Sequence, residues 1–386
     1  MQPANRVRTL PSYFFARLGQ RVAQRLGEGR DVIRLDIGSP DLPPADWITE
    51  AMCRSAQDPT HHSYAGYNGT PQLRRAIANA YERRFGVQLD PETQVLPCIG
   101  SKEGLVNMSL AFLDPDDVAL VPDPGYPAYA MSTRLAGGQV ERFPLLAERG
   151  WLPALADIPS AVAHKARIAW LNYPNNPTAA IAGLDVLTQA VDFAGAYDLL
   201  LCHDAAYCDV TFDGYVAPSI LQVPGAKEVA VEFGSLSKTY NMAGWRVGWA
   251  VGNASAIEAL ARVKTNMDSG IFRPIQDAAA AALNGDQGWI LDRNHIYAQR
   301  REVILEGLRA VGIAAARPQA SLYVWAPVPA GFTSEEWAAL VLEQVDVSFA
   351  PGTAFGPHGE GYVRISIARP TERVREAMQR LRSLRL

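Results

Sequence analysis

Ile168-Ala169-Trp170-Leu171 is an apolar run that breaks at once into Asn172-Tyr173-Pro174-Asn175-Asn176-Pro177-Thr178. It lacks the apolar–polar alternation of a half-solvated strand, so it reads as a strand covered on both faces. Similar runs lie at Val118 to Val121, Leu199 to Cys202 and Val229 to Phe233, with helical patterns such as residues 183–197 between them. Buried strands alternating with helices predict an α/β fold with a mostly parallel, doubly wound sheet. In such sheets the ligand lies beyond the carboxyl ends of the strands. The residues that follow each run therefore carry information. Asn172 to Thr178 follow the first, His203-Asp204-Ala205-Ala206-Tyr207 the next, and Gly234-Ser235-Leu236-Ser237-Lys238 the last. Three strand ends thus deliver amides, an acid with a phenol, and a lysine flanked by hydroxyls to one edge.

Outward from this centre the pattern changes. Residues 288–312 read as one long connecting helix, charged on one face and apolar on the other. A strand at 321–325, a helix at 334–343, a strand at 362–368 and a terminal helix follow. This mixed tail predicts a smaller α+β domain over 287–386, beside a large domain over 44–286. Residues 1–43 hold a basic amphipathic stretch, Tyr13 to Leu26, expected to pack on the small domain. The 386 residues are 48% hydrophobic, enough for a full core in two domains. A formal net charge of -4 argues against nucleic acid or a membrane surface as partner. No stretch approaches the roughly 20 apolar residues of a membrane helix. Met1 to Arg8 lacks the pattern of a signal peptide, so a cytoplasmic location is expected. Cys53, Cys98, Cys202 and Cys208 form no ligand cluster and are expected to be buried free thiols, with no metal site.

The chain has five lysines: Lys102, Lys165, Lys227, Lys238 and Lys264. A lysine set among small and apolar residues therefore needs a reason. For Ser235-Leu236-Ser237-Lys238 alone, a solvated turn is an even alternative; Gly244-Trp245-Arg246-Val247-Gly248 at a fixed distance argues against it. Asp204, ending an apolar run, calls for a cation if it is not a helix cap.

Together these segments resemble the class I and II (fold type I) aminotransferases, over nearly the whole chain. In that family the lysine of SxSKxxxxxGxRxG carries pyridoxal 5′-phosphate (PLP). The resemblance implies Lys238 as the covalent carrier and general acid/base, with Ser235 and Arg246 on the phosphate. An arginine fork and a hydroxyl suit a phosphate physically. Gly100-Ser101-Lys102-Glu103-Gly104 precedes a helical pattern, and the amides of Ser101 and Lys102 are implied as further phosphate donors. Tyr126, in Pro124-Gly125-Tyr126-Pro127, is implied to stack on the cofactor ring, a packing tyrosine being the alternative. Asp204 would pair with the pyridine nitrogen, and Asn176 and Tyr207 with the phenolic oxygen. Ala179 stands where the family usually has glycine. Arg364, in Gly361-Tyr362-Val363-Arg364-Ile365-Ser366-Ile367, is implied to bind the substrate α-carboxylate with Asn176 and the backbone of Gly38. Tyr64 matches a tyrosine that reaches the neighbouring subunit's phosphate, which implies a homodimer with shared sites. Lys238, Asp204 and Tyr126 form the expected catalytic set.

Within the family, Ile99 to Gly104, Leu171 to Thr178, Ser237 to Met242 and Lys264 to Phe272 resemble LL-diaminopimelate aminotransferases. This implies exchange of an amino group between LL-diaminopimelate and 2-oxoglutarate, in lysine biosynthesis. Ala243 and Arg273 depart from that group, and Arg273 either meets a distal substrate charge or faces solvent. An aminotransferase for alanine, aspartate or aromatic acids, or a PLP-dependent C–S lyase, would share the same core residues. A PLP-binding regulator is the non-enzymatic alternative, and it normally carries an appended DNA-binding domain for which this length leaves no room.

Overall fold

Polar residues end the strands where they end the apolar runs. In the computed structural model, which describes residues 1–8, 10–11 and 14–384, the strands are β1 (Ile33–Arg34), β2 (Val95–Cys98), β3 (Val118–Asp123), β4 (Gln139–Pro144), β5 (Ala166–Asn172), β6 (Leu200–Asp204), β7 (Ala230–Ser235), β8 (Gly248–Gly252), β9 (Tyr323–Pro327), β10 (Val347–Ser348), β11 (Ala350–Pro351) and β12 (Tyr362–Ser366). The main sheet has seven strands in the order β2-β8-β7-β6-β5-β3-β4. All its pairings are parallel except those of β8, which runs antiparallel to β7 and β2. Alternate residues of each central strand point to opposite faces. Ala169, Leu171 and Leu201 enter one core, while Ile168, Trp170 and Cys202 enter the other. Each such large side chain contributes roughly 1.5–3 kcal/mol on burial. That is why the runs are apolar throughout.

Register brings the strand ends level. Asn172 pairs with Asp204, and Asp204 with Phe233. Ser235 pairs with Gly248, so the segment carrying Lys238 leaves and re-enters the sheet at one point.

Behind this edge lies a buried polar pair. His203 and Glu232 are register partners on β6 and β7, joined by Nδ1 to Oε2 at 2.9 Å. Glu232 also accepts from Tyr81 Oη (2.8 Å), Ser219 Oγ (2.9 Å) and the Ile220 amide (2.9 Å). Burial pushes its pKa up, but His203 and the other donors outweigh burial and leave it lowered.

The C-terminal residues build the antiparallel sheet β11-β12-β9, with helices Gly288–Arg309, Ser334–Val345 and Thr371–Leu381 against it. The helix Phe14–Gly27 places Leu18 and Val22 against Val32 and Leu342. Arg21 pairs with Glu343 and Arg25 with Asp346. Tyr13 lies outside the described residues.

Two expectations need correction. The long helix is not charged on one face and apolar on the other: Arg293, Arg300 and Arg301 are all buried. One face is solvent-exposed, at Leu291, Asp292, Gln299 and Glu306, but these arginines lie on the buried face and are therefore partnered instead of solvated. Arg300 pairs with Asp41 (2.7 Å), and Arg301 pairs with Asp213 (2.7 Å) and donates to the Pro318 carbonyl. The cysteines are free, but only Cys98 and Cys202 are fully buried; Cys208 is half-buried and Cys53 exposed. Cys53 lies on the helix Asp46–Ala56, which turns Ile48 and not Cys53 inward. Among the described residues no helix is long and apolar enough to cross a membrane, and no group of side chains is arranged to hold a metal.

Glu232→Ala strands four donors in the interior. It is expected to lower unfolding free energy by about 3–5 kcal/mol, read from urea denaturation midpoints at constant slope.

Candidate active site

The level strand ends floor a cavity of about 460 Å³, within the size range of small-molecule sites. From β6 comes Asp204, 5% exposed, whose pKa burial raises. Its Oδ2 accepts from Tyr129 Oη at 2.8 Å. Tyr129 is itself fixed by stacking on Trp170 of β5, at 5.2 Å between ring centres and 12° between planes. Tyr126 stands edge-on to Tyr129 at 5.7 Å and lines the cavity. From β5, Asn172 donates to the Asp204 carbonyl (2.7 Å) and accepts from the Asn176 amide (2.7 Å), so it clamps two neighbouring strand ends together.

Lys238 follows β7 in the short helix Leu236–Thr239, and its Nζ donates to the Gly38 carbonyl at 2.7 Å. Burial, then the charges of Arg364 and Arg246, push its pKa down to about 8, against a smaller upward pull from Asp204. Gly38 is required by close approach: a Cβ there would sit 1.9 Å from the Tyr323 hydroxyl. That hydroxyl shares a 2.8 Å hydrogen bond with Tyr207.

Arg364 of β12 is 4% exposed. Nη1 donates to Asn176 Oδ1 (2.8 Å) and Nη2 to the Asp36 carbonyl (2.7 Å), while Nε has no partner among the described residues. The guanidinium lies 4.1 Å from the Tyr323 ring centre.

At the other end, Ser101 opens the helix Ser101–Phe112 after Gly100, whose φ of 76° suits glycine. A Cβ on Gly100 would meet Arg246 Nη2 at 2.1 Å, so the glycine also admits the arginine. Ser235, Ser237, Lys102 and Arg246 complete this end. Burial and the charge of Arg246 lower the Lys102 pKa. A helix start with two cations and three hydroxyls is chemistry for a phosphate-like anion.

The cavity thus gathers Gly38, Ser101, Lys102, Tyr126, Asn176, Asp204, Tyr207, Ser235, Lys238, Arg246 and Arg364. Tyr64 is not among them; it is 88% exposed in an irregular segment. Arg273 does not line it either, its Nε lying 3.2 Å from Asp277 on the same helix. Sequence reasoning missed Tyr129, Asn172, Ser237 and Tyr323. The spacing of Tyr129 three residues after Tyr126, and the place of Asn172 as first polar residue after its run, were usable signals.

A model of the family described as aminotransferase class I and II matches residues 30–381. The chain belongs to that family. This class I and II aminotransferase is 51% identical over 379 residues to the LL-diaminopimelate aminotransferase of Desulforudis audaxviator, covering 98% of this chain and 97% of that one. It is 49% identical to the LL-diaminopimelate aminotransferase of Moorella thermoacetica over 99% of this chain and 98% of that one. Among solved structures it resembles apo-BacF from Bacillus subtilis, with a TM-score of 0.96, 37% identity, and coverage of 100% and 98% of the two chains. The architecture is that of a fold type I aminotransferase, and the enzyme is a PLP-dependent transaminase.

In the cofactor-free aminotransferase, acylation of Lys238 is expected to rise through about pH 8. The lowered pKa leaves its amine neutral there, whereas an ordinary lysine reacts only towards pH about 10. Peptide mass mapping across a pH series reads this directly. Half-maximal labelling of Lys238 near pH 10 contradicts the site's electrostatics.

Proposed function

We propose that this aminotransferase holds PLP on Lys238 and moves an amino group between LL-diaminopimelate and 2-oxoglutarate, as a cytoplasmic enzyme of lysine biosynthesis. The observation that carries the cofactor reading is one cavity, lined by half-buried Lys238 with its lowered pKa, the buried carboxylate of Asp204 and the buried Arg364, whose Nε has no partner among the described residues. The cofactor fits the donors present. Asp204 forms no ion pair among the described residues and suits a protonated ring nitrogen; Ser101, Lys102, Ser235 and Arg246 suit a phosphate. The identities of 51% and 49% over nearly whole chains support the substrate reading.

Bound PLP supplies an electron sink for charge developing at the substrate Cα. The chain's residues do the rest. Arg364 offers Nε and its planar fork to the α-carboxylate, and stacking on Tyr323 fixes its orientation. Lys238 Nζ, neutral above about pH 8, would take the Cα proton and give it back on the cofactor side of the amino nitrogen. Asp204, held by Tyr129, would pair with the ring nitrogen and favour its protonated form. Asn176, whose Oδ1 is occupied by Arg364, keeps its amide N–H groups for the ring's phenolic oxygen, which Asn176 and Tyr207 would hold. Tyr126, on the cavity wall, would pack against the ring. In this reading residues 44–286 form the cofactor domain, 287–386 the smaller domain, and 1–43 a segment against it.

Tyr64 acts from the partner subunit of a homodimer. Its exposure, with Tyr67, Met267 and Phe272 exposed in the same region, supports that assignment; a Cβ at Gly270 would lie 2.3 Å from the Gly66 carbonyl, so the two loops touch.

The reading expects turnover of LL-diaminopimelate with 2-oxoglutarate, and borohydride trapping of the cofactor on Lys238. Label on another lysine, or a better donor in an amino-acid panel, contradicts it. Asp204→Ala is expected to lower kcat roughly 10²–10³-fold with the fold intact. Mixing inactive Lys238→Ala with impaired Tyr64→Phe is expected to restore activity, because one site of each hybrid then carries neither defect. Subunit exchange confirmed by mass, without recovery, rules out the shared site.

A further inference from the structure

We propose that Arg34 is a second carboxylate-binding group of this cavity, reading the distal acid of substrates that carry two carboxylates. The proposal deepens the transamination reading above and rests on it. Arg34 ends β1, which is held parallel to β10, and its carbonyl accepts from Arg369 Nε at 3.0 Å. Two residues on, Asp36 projects from the same side of the extended chain. Nε and Nη2 of Arg34 grip Asp36 Oδ1 and Oδ2 at 3.1 and 2.6 Å, a bidentate fork. Asp36 is 1% exposed, whereas the Arg34 side chain keeps 26% of its surface.

Both residues line the cavity. The fork commits two donor nitrogens and leaves Nη1 without an acceptor among the described residues. Its direction is already set, so a ligand loses little rotamer entropy in using it. The backbone carbonyl of the same Asp36 holds Arg364 Nη2. The two guanidinium groups are therefore parts of one assembly, on the Gly38 side of the cavity. The other cations have tasks elsewhere: Lys102 and Arg246 stand at the phosphate end, and Lys238 at the centre.

The reaction type sharpens the argument. One cavity receives the amino donor and the 2-oxo acceptor in turn, so a fixed second cation must suit both. Two substrates that share a second carboxylate meet that condition. A substrate with an apolar side chain leaves Nη1 facing carbon, and polar sites reject such ligands strongly. Asp36 neutralises Arg34 while no ligand is present.

The test titrates the PLP-loaded enzyme calorimetrically with glutarate, a dicarboxylate, and pentanoate, its monoacid counterpart. Wild type is expected to favour glutarate. Arg34→Gln is expected to weaken glutarate roughly tenfold or more while pentanoate is unchanged. If Arg34→Gln does not fold, because Asp36 is then buried without its partner, the double variant Arg34→Gln/Asp36→Asn removes both charges and is expected to lose the same preference. No preference in wild type, or equal changes for both acids in the variants, overturns the proposal. Absence of LL-diaminopimelate turnover with the glutarate preference intact rejects the substrate reading alone.

Discussion

The guanidinium of Arg364 joins three stretches of chain that are remote in sequence. It sits on β12, donates to Asn176 beyond the end of β5, and donates to the Asp36 carbonyl just past β1. A buried cation without such partners would be prohibitive. With them it draws the C-terminal sheet and the N-terminal segment against the carboxyl edge of the main sheet. Three rings complete its surroundings: Tyr323, Phe355 and Phe15, at 4.1, 4.7 and 5.3 Å. Their π faces attract the charge while excluding water. The same charge acts on Lys238, where it is the largest influence after burial in lowering the pKa to about 8. Architecture and proton affinity therefore share one interaction.

What the sequence made legible follows from where free energy is local. The central strands are covered on both faces, so their apolar character is continuous, and the first polar residues beyond them face the cavity. Lys238, Asp204 and Asn176 stand out for that reason. β4 does not, because it is an edge strand whose exposed residues alternate with half-buried Val140 and Arg142 before the buried Phe143. Tyr129 was hidden because its task depends on stacking against Trp170, some forty positions away, and no periodicity encodes that contact. The helix Gly288–Arg309 misled for a related reason. Arginines mark a solvated face only when nothing else covers it, and here Asp41, Asp213 and carbonyl oxygens do.

Arg293 shows what that buried charge accomplishes. It donates to the carbonyls of Lys238 and of Thr239 (2.9 Å), and to that of Asp209 (2.8 Å). Asn294 adds a second bond to Asp209 at 2.9 Å, and Thr239 Oγ1 donates to the Asp209 carboxylate at 2.9 Å. The loops after β6 and β7 are thereby pinned to each other through one helix. A lysine with the role proposed for Lys238, carrying a group and then moving a proton, needs two opposed properties. Its backbone must stay fixed, since a displacement of an ångström misaligns the reacting atoms. Its amine must change partners freely. The carbonyl clamp supplies the first. The second follows because, among the described residues, the hydrogen-bond acceptor of Nζ is the Gly38 carbonyl, a neutral group. A carboxylate in that place would hold the amine protonated and stationary; Asp204, whose charge acts on Lys238, is instead engaged by Tyr129. Rigidity is spent on the main chain, and mobility is kept for the one atom that uses it.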